Sequence, residues 1–198
     1  MTKFDPPRDA SLLAGFRSRW SEVNGEYFEV PPGCDSGGML IDFLRENRLA
    51  SVVLSGPPLD GGLADALKEK VKVLADFGRE TLDRETAVRL CGEADAGITG
   101  VDALIAETGT VVAASRLRGD RLCSLLPPVH IAVVGKAPLF ENMERFFRAL
   151  DGDGTLCLIT GPSRTADIEK RIVLGAHGPA RVVLWVTGIN WFLAESCG

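Results

Sequence analysis

The sequence predicts an α/β protein with a mostly parallel sheet and an inserted antiparallel hairpin. Helical and extended patterns alternate along the chain, and most extended segments are continuously apolar, as expected for parallel strands buried on both faces. Two β-like runs separated by only two residues indicate the hairpin. The 198 residues, 45% hydrophobic and 25% charged, are enough for one domain that buries roughly 70% of its unfolded surface.

An N-terminal appendage is predicted over residues 1–35, and the main domain over residues 36–198. Residues 9–21 have helical spacing, and their apolar face carries Leu12, Leu13, Phe16 and Trp20. A break at Asn24-Gly25 ends this helix, and a short strand from Tyr27 to Val30 follows it.

The main domain is predicted to alternate between helices and strands. Helices are expected at residues 36–47, 63–70, 84–90, 139–150 and 165–174. Strands are expected at residues 51–55, 71–74, 129–135, 155–160 and 181–186. The hairpin strands are residues 103–107 and 110–115, joined by Thr108-Gly109, where Gly109 can adopt a positive φ.

Composition narrows the range of partners. The net charge of −5 and the pI of about 5.1 argue against nucleic acid as the main partner, because phosphate binding needs a basic field. No apolar run approaches the ~20 residues that span a bilayer, and the first residues lack the apolar core of a signal peptide. We therefore expect a cytoplasmic protein without membrane insertion.

The cysteines are scattered along the chain. The five are Cys34, Cys91, Cys123, Cys157 and Cys197. No C-x-x-C motif is present, so neither an iron–sulfur cluster nor a zinc ribbon within this chain is expected. An odd count with wide spacing is typical of reduced, mostly buried thiols in a cytosolic protein. The prediction is a chain with no metal and no cofactor of its own.

Three segments place glycines and polar residues near strand ends, and α/β sheets bind ligands outside the carboxyl ends of their strands. In the first segment Glu107 directly precedes the hairpin turn, where Thr108 and Gly109 supply backbone N–H groups. Its carboxylate can act there as nucleophile or general base, or it simply faces solvent at an ordinary turn. Asp102 is either a ligand group or a cap.

The second and third segments add a histidine and an anion-binding pattern. His130 follows Pro127-Pro128 at a strand start, and it suits either acid–base work or a hydrogen-bonded place in the core. A Gly-Pro-Ser turn before the helix predicted from Thr165 places three residues at its N-terminus, where anions bind: Ser163, Arg164 and Thr165. The alternative is that Ser163 or Thr165 only caps this helix. His177 is a loop residue or a fourth contributor.

Four motifs occur in the same order in a known family. They are GITGVDALIAETGT (residues 97–110), LPPVHIAVVG (residues 126–135), TGPSRTADIE (residues 160–169) and LGAHGP (residues 174–179). On these segments, which lie within residues 90–186, the chain resembles the lactate-utilisation protein C (LUD-domain) family. The long member of the family carries ferredoxin-type cysteine motifs. This chain, through Gly198, has none and is similar to the short member.

The resemblance implies participation, with two iron–sulfur subunits, in the oxidation of L-lactate to pyruvate. Our leading hypothesis is an accessory subunit that binds a small carboxylate or phosphate, or a partner's surface, at a cleft that holds Glu107, His130 and Arg164. The resemblance also implies a fold like that of the ribose-5-phosphate isomerase and CoA-transferase superfamily. Glu107-Thr108-Gly109 resembles the Glu-Asn-Gly segment that carries the nucleophile of CoA transferases, with Thr108 in place of Asn. The alternatives are a stand-alone acyl-transfer or phospho-sugar enzyme that uses Glu107, and a structural scaffold with an empty cleft.

Overall fold

The computed structural model describes residues 10–55, 63–115, 120–135, 137–150, 155–166, 172–174 and 178–187. The helices within these residues are α1 Ala10–Glu22, α2 Ser36–Glu46, α3 Leu63–Lys70, α4 Arg84–Glu93, α5 Asp120–Leu125 and α6 Met143–Ala149. The strands are β1 Glu26–Val30, β2 Ser51–Ser55, β3 Lys72–Asp76, β4 Ala96–Gly100, β5 Ala103–Ile105, β6 Thr110–Ser115, β7 Val129–Val134, β8 Leu139–Phe140, β9 Thr155–Ile159, β10 Arg164–Ala166, β11 Ile172–Leu174 and β12 Arg181–Thr187.

A six-stranded sheet forms the centre of the molecule, with the strand order β1-β12-β7-β4-β2-β3. Every neighbouring pair in it is parallel. All residues of β4 and β7 are buried, because both faces of the sheet are covered. The predicted α/β class with a mostly parallel central sheet is confirmed.

Each face of the central sheet has its own apolar core. On one face α2 and α3 cover Val52, Ile131 and Trp185. The Trp185 ring stacks on Phe28 of β1, with the ring centroids 4.0 Å apart and the planes 3° from parallel. The alternate residues of the same strands point to the other face, where they pack against α1, α4, α5 and a second sheet.

The N-terminal segment is part of this packing. Strand β1 pairs in parallel with β12 from Glu26↔Val183 onward, and it forms one edge of the central sheet. Phe16 and Trp20 of α1 are completely buried and pack against residues of both sheets. The division of the chain at residue 35 stays a prediction.

The second sheet has the strand order β8-β5-β6-β9 and contains the predicted antiparallel hairpin, β5-β6. The hairpin therefore lies beside the parallel sheet rather than within it. Its turn has four residues instead of two, because β5 already ends at Ile105 and the Gly109 N–H donates to the Ala106 carbonyl at 3.3 Å.

Two of the predicted helices differ in the structure. Residues 139–150 begin with β8, and α6 starts only after Asn142, whose side chain accepts a hydrogen bond from the Arg145 N–H at 2.9 Å. The helix predicted over residues 165–174 is wrong, since β10 and β11 pair there as antiparallel strands. The β-branched residues Thr165, Ile172 and Val173 favour extended backbone, and this preference prevails over the helical spacing.

Two elements are absent from the prediction. The central strand β4 contains two glycines, which weaken its apolar pattern. One of them, Gly97, is required by packing, since a Cβ there would lie 1.8 Å from the Cys123 carbonyl oxygen of α5. The six-residue helix α5 is too short for helical periodicity to stand out. Among the described helices, none combines the length and apolar composition needed to cross a bilayer.

Candidate functional site

The motif segments meet near the edge of the central sheet where the parallel strands begin. The Ser163 N–H donates to the Pro179 carbonyl at 2.9 Å, two residues before β12. A Cβ on Gly161, whose φ is +80°, would lie 2.3 Å from the Val23 carbonyl oxygen, three residues before β1. Ser163 and Gly161 therefore lie at the amino ends of β12 and β1, whereas the expected cleft lies outside the carboxyl ends of the strands.

The turn that carries Glu107 is held firmly on both sides. On one side the Glu107 N–H donates to the Glu141 carbonyl at 3.0 Å. On the other side Gly109, with a φ of +61°, packs closely on α1. A Cβ at this position would lie 2.6 Å from the backbone nitrogen of Trp20. The Glu107 side chain is exposed, and no described side chain hydrogen-bonds to its carboxylate. The structure thus presents an unengaged carboxylate on a rigid turn.

A chain of hydroxyl groups lies directly beneath this turn. The Thr108 and Thr110 Oγ1 atoms are 2.7 Å apart, and the Thr110 and Thr160 Oγ1 atoms are 2.8 Å apart. Thr110 is completely buried. The hydroxyl chain ties the Glu-Thr-Gly-Thr segment to the Thr-Gly-Pro-Ser segment, 50 positions later in the sequence. Thr110 and Thr160 lie within the quoted motifs, but the sequence does not single them out, because a threonine in a strand is ordinarily a packing residue.

Asp102 stabilises the hairpin through hydrogen bonds to the backbone of β6. Its carboxylate accepts a hydrogen bond from the Ala114 N–H at 2.7 Å. Its own N–H donates to the Val112 carbonyl at 2.9 Å. Both hydrogen bonds join Asp102, directly before β5, to β6. Asp102 therefore acts as a cap at the end of the β5-β6 hairpin that lies away from the turn.

His130 is completely buried in β7. Its Nε2 is 2.8 Å from the Thr99 Oγ1 in the neighbouring strand β4, and its Nδ1 is buried without a hydrogen-bond partner among the described residues. Burial lowers the pKa of His130 from 6.5 to about 4, because desolvation penalises the charged imidazolium. His130 is therefore neutral near pH 7, and its geometry matches the alternative of a hydrogen-bonded core residue.

The anion site predicted at a helix N-terminus loses its structural basis. Arg164 and Thr165 belong to β10, so no helix begins at these residues and no helix dipole acts on them. The half-buried Ser163 packs against Gly178, where a Cβ would lie 3.1 Å from the Ser163 Cβ. The side chains of Arg164 and Thr165 are not described, and His177 lies outside the described residues.

Among the candidate residues whose side chains are described, Glu107 is exposed and can reach a molecule in solution directly. A solvent-facing carboxylate on a fixed turn can receive a cationic group of a partner, accept a proton, or attack an acyl carbon if a substrate is bound beside it. His130 and Thr99 can instead fix the relative position of β4 and β7. Within the described part of the chain, no group of three His, Cys, Asp or Glu side chains is placed to hold a metal ion.

Comparison with known proteins gives one family and several relatives. A family model described as the LUD domain matches residues 13–186. A lactate utilization protein C of Exiguobacterium sp. is 39% identical over 115 residues, which are 54% of this chain and 48% of that protein. Another, of Shouchella clausii, is 41% identical over 106 residues, which are 50% of this chain and 46% of that protein. The chain thus spans about half the length of the curated relatives it matches.

One solved structure shares the fold. It is a DUF162 family protein from Deinococcus radiodurans, which superposes with a TM-score of 0.61 at 22% sequence identity. The superposition covers 90% of this chain and 98% of that chain. At this level of identity the likeness extends to the arrangement of the helices and strands.

Proposed function

The chain belongs to the LUD-domain family, and we propose on that premise that it takes part in lactate utilisation as an accessory subunit in the cytoplasm. The observation that carries this proposal is the identity of about 40% with relatives named lactate utilization protein C. In the proposed system, iron–sulfur subunits oxidise L-lactate to pyruvate and accept the two electrons that this oxidation releases.

The surface around Glu107 is the proposed docking site for a partner subunit. Its carboxylate is exposed and unengaged among the described residues, and it stands on a turn fixed by the Glu141 carbonyl and α1. A rigid carboxylate loses little conformational entropy when it pairs with an Arg or Lys of a partner. The proposed contact is therefore an ion pair between Glu107 and a basic residue of an iron–sulfur subunit.

A small carboxylate or phosphate ligand is proposed for Ser163, Arg164, Thr165 and His177. An arginine and two hydroxyl residues have the donors that such anions need. For the fold, we propose membership of the ribose-5-phosphate isomerase and CoA-transferase superfamily. The parallel sheet with an antiparallel hairpin beside it supports this assignment.

The test of the subunit role is purification from the native host. The tagged chain is isolated from cells grown on lactate, and the proteins that co-purify are identified by mass spectrometry. We expect iron–sulfur proteins in stoichiometric amounts and loss of growth on lactate when the chain is deleted. A chain that purifies alone, together with normal growth of the deletion strain on lactate, contradicts the subunit role.

Glu107→Gln tests the docking contact. The substitution removes the charge and keeps the size of the side chain, so we expect at least tenfold less co-purified partner with an unchanged Tm of the isolated chain. The matched control is Glu93→Gln in α4, where an exposed carboxylate pairs with Arg89, and it should retain the partner. Equal recovery of the partner with both variants contradicts the contact at Glu107.

The second candidate is a stand-alone acyl-transfer or phospho-sugar enzyme, favoured by the exposed Glu107 beside the glycine turn. It predicts turnover of a CoA ester or a sugar phosphate by the isolated chain, abolished in Glu107→Gln. A screen of the purified wild-type chain against both substrate classes decides this candidate, and binding of neither class rejects it.

A further inference from the structure

One edge of the second sheet is open. Strand β9 is the last strand in the order β8-β5-β6-β9, and among the described residues no strand pairs with its outer edge. The sequence of β9, Thr-Leu-Cys-Leu-Ile, contains neither a charged residue nor a proline. Monomeric proteins commonly protect an edge strand with a charge, a proline or a covering segment. The composition of β9 therefore permits pairing with another strand.

Exposed apolar side chains lie on this strand and on the helix beside it. Leu158 of β9 is 41% exposed, and Phe147 and Leu150, in and directly after α6, are 52% and 42% exposed. Leu156 shares a face of β9 with Leu158, because side chains alternate along a strand. Leu156 and Ala149 both pack against the apolar cluster between α6 and the second sheet. The three exposed side chains therefore lie on the α6 side of this sheet.

We propose that this surface, formed by β9, Phe147 and Leu150, binds a second copy of the chain. In the proposed dimer the two β9 strands pair antiparallel across a two-fold axis, and the second sheets of the two copies join into one. The dimer does not depend on the proposed role in lactate utilisation.

Hydrogen bonds in the second sheet indicate how β9 is oriented. The Val112 carbonyl accepts a hydrogen bond from the Asp102 N–H, and the Ala114 N–H donates to the Asp102 carboxylate. Val112 and Ala114 thus direct these backbone groups toward the β5 side of β6. Ala113, which lies between them, directs its groups toward β9, where it pairs with Cys157. The backbone groups of Cys157 therefore face β6.

The two leucines of β9 consequently direct their backbone groups toward the open edge, because these groups alternate between the two sides of a strand. With a two-fold axis at Cys157, Leu156 of each copy lies opposite Leu158 of the other copy, and each pair exchanges two hydrogen bonds. The leucine side chains of both copies then meet on the α6 side of the joined sheet. Such cross-strand apolar pairs stabilise a sheet.

The charges of α6 fit a second copy. A two-fold axis perpendicular to the sheet places both α6 helices on the same face and makes them antiparallel. Helix α6 has Glu144 in its first turn and Arg148 in its last turn, and these side chains are exposed. The acidic start of each helix therefore lies toward the basic end of the other. A two-fold interface requires this kind of self-complementarity.

The first test is the oligomeric state of the full chain. Sedimentation velocity over a wide range of protein concentration should give a species of twice the 21.2 kDa of one chain. A chain that is monomeric at its highest soluble concentration overturns the proposal, including when another protein is found to bind β9.

Leu158→Lys tests whether β9 forms the interface. It places a charge from each copy at the seam, so we expect the dissociation constant of the dimer to rise at least tenfold. The matched control is Val88→Lys in α4, which changes a side chain of the same 41% exposure and should leave the dimer intact. Circular dichroism verifies folding, and Phe147→Lys serves as the second interface variant. Unchanged dimerisation of both folded interface variants overturns the proposal.

Cys157 tests the position of the two-fold axis. At that position the Cα atoms of the two Cys157 residues would be about 4.5 Å apart in a non-hydrogen-bonded pair, a separation that a disulfide can span. Oxidation of the reduced dimer with copper phenanthroline should therefore link the two copies through Cys157, as mapped by mass spectrometry without reduction. Cys157→Ser should abolish this link, whereas Cys34→Ser, at an exposed cysteine, should retain it. Linkage through other cysteines only, or no linkage, overturns the axis at Cys157.

Discussion

At the scale of single residues, the described polar groups of the family motifs include some that face solvent and several that hold the fold together. Glu107 is exposed, whereas Thr110 and His130 are completely buried. Asp102 bonds to the backbone of its own hairpin. Thr110, His130 and Asp102 thus supply hydrogen-bond partners to backbone and side-chain groups inside the fold, because buried polar groups need such partners.

The first prediction at this scale concerns pH. The pKa of His130 is about 4 in the folded protein against 6.5 as the ordinary value, so the unfolded chain binds the proton more readily. The contribution of His130 to stability is complete above pH 6.5 and is lost as the pH falls toward 4. Between pH 7.5 and 5 the free energy of unfolding should fall by about 2 kcal/mol through this residue alone.

Urea unfolding of the wild type and of His130→Gln at these two pH values measures this loss. The glutamine amide does not titrate and can place its nitrogen where Nε2 lies beside Thr99. The variant should therefore show a drop smaller by about 2 kcal/mol. An identical drop in both proteins would assign the acid sensitivity to other groups.

The second residue-scale prediction concerns the hairpin turn. Gly109→Ala places a Cβ at a φ of +61° and 2.6 Å from the Trp20 nitrogen, and we expect a loss of about 2 kcal/mol or more in the free energy of unfolding. Gly15→Ala is the matched control, because nothing lies within 4 Å of its Cβ in α1. It should stabilise the protein by about 0.5–1 kcal/mol. Chemical denaturation of both variants checks the contrast, and equal stabilities contradict the role of Gly109.

At the scale of elements, α1 is the helix on which two of the motifs are assembled. Gly109 of the hairpin turn approaches the last turn of α1, and Gly161 approaches Val23 directly after that helix, both more closely than any side chain would allow. The Trp20 Nε1 donates to the Glu26 carbonyl at 2.8 Å, which joins the same helix to β1. Glycines in these motifs are therefore explained by the close approach of backbone to backbone.

An element-scale prediction follows for α5. A Cβ on Gly97 would lie 1.8 Å from the Cys123 carbonyl oxygen, so Gly97→Ala must push α5 away from β4. We expect Cys91 and Cys123 to react with a thiol reagent at least tenfold faster than in the wild type, because the packing of α5 against α4 and β4 buries both thiols. Thiol labelling over time, with far-ultraviolet circular dichroism to verify folding, measures the effect. Unchanged labelling of a folded variant contradicts the role of α5 as a cover.

At the scale of the whole molecule, two sheets share one core through α1. Leu13, Phe16 and Trp20 pack in one apolar cluster with residues of the central sheet and of the second sheet. Strand β1 completes one edge of the central sheet. Helix α1 and strand β1 are thus bound to the remainder by buried apolar contacts and by a full row of strand hydrogen bonds, which are strong stabilising terms.

The whole-molecule prediction tests this integration. Trp20→Ala removes a completely buried side chain from the shared cluster and should cost about 3–5 kcal/mol of stability. Deletion of residues 1–35 should leave a chain that is aggregated or unfolded, because both apolar faces that α1 and β1 cover become exposed. Denaturation of the variant and size-exclusion chromatography of the truncated chain test both expectations. A truncated chain that stays monomeric, with a cooperative transition, would identify the segment as a separable appendage.

The sequence by itself determined the α/β class, the helices α1 to α4, the strands with continuous apolar runs and the family. These features follow from local periodicity and from ordered motifs, both of which are readable along the chain. Tertiary structure alone decided the position of β4, where Gly97 accommodates the approach of α5. It also decided the burial of His130 and brought Cys91 and Cys123 into one apolar cluster. In each case the deciding interaction joins elements distant in the sequence, and local patterns do not encode such contacts.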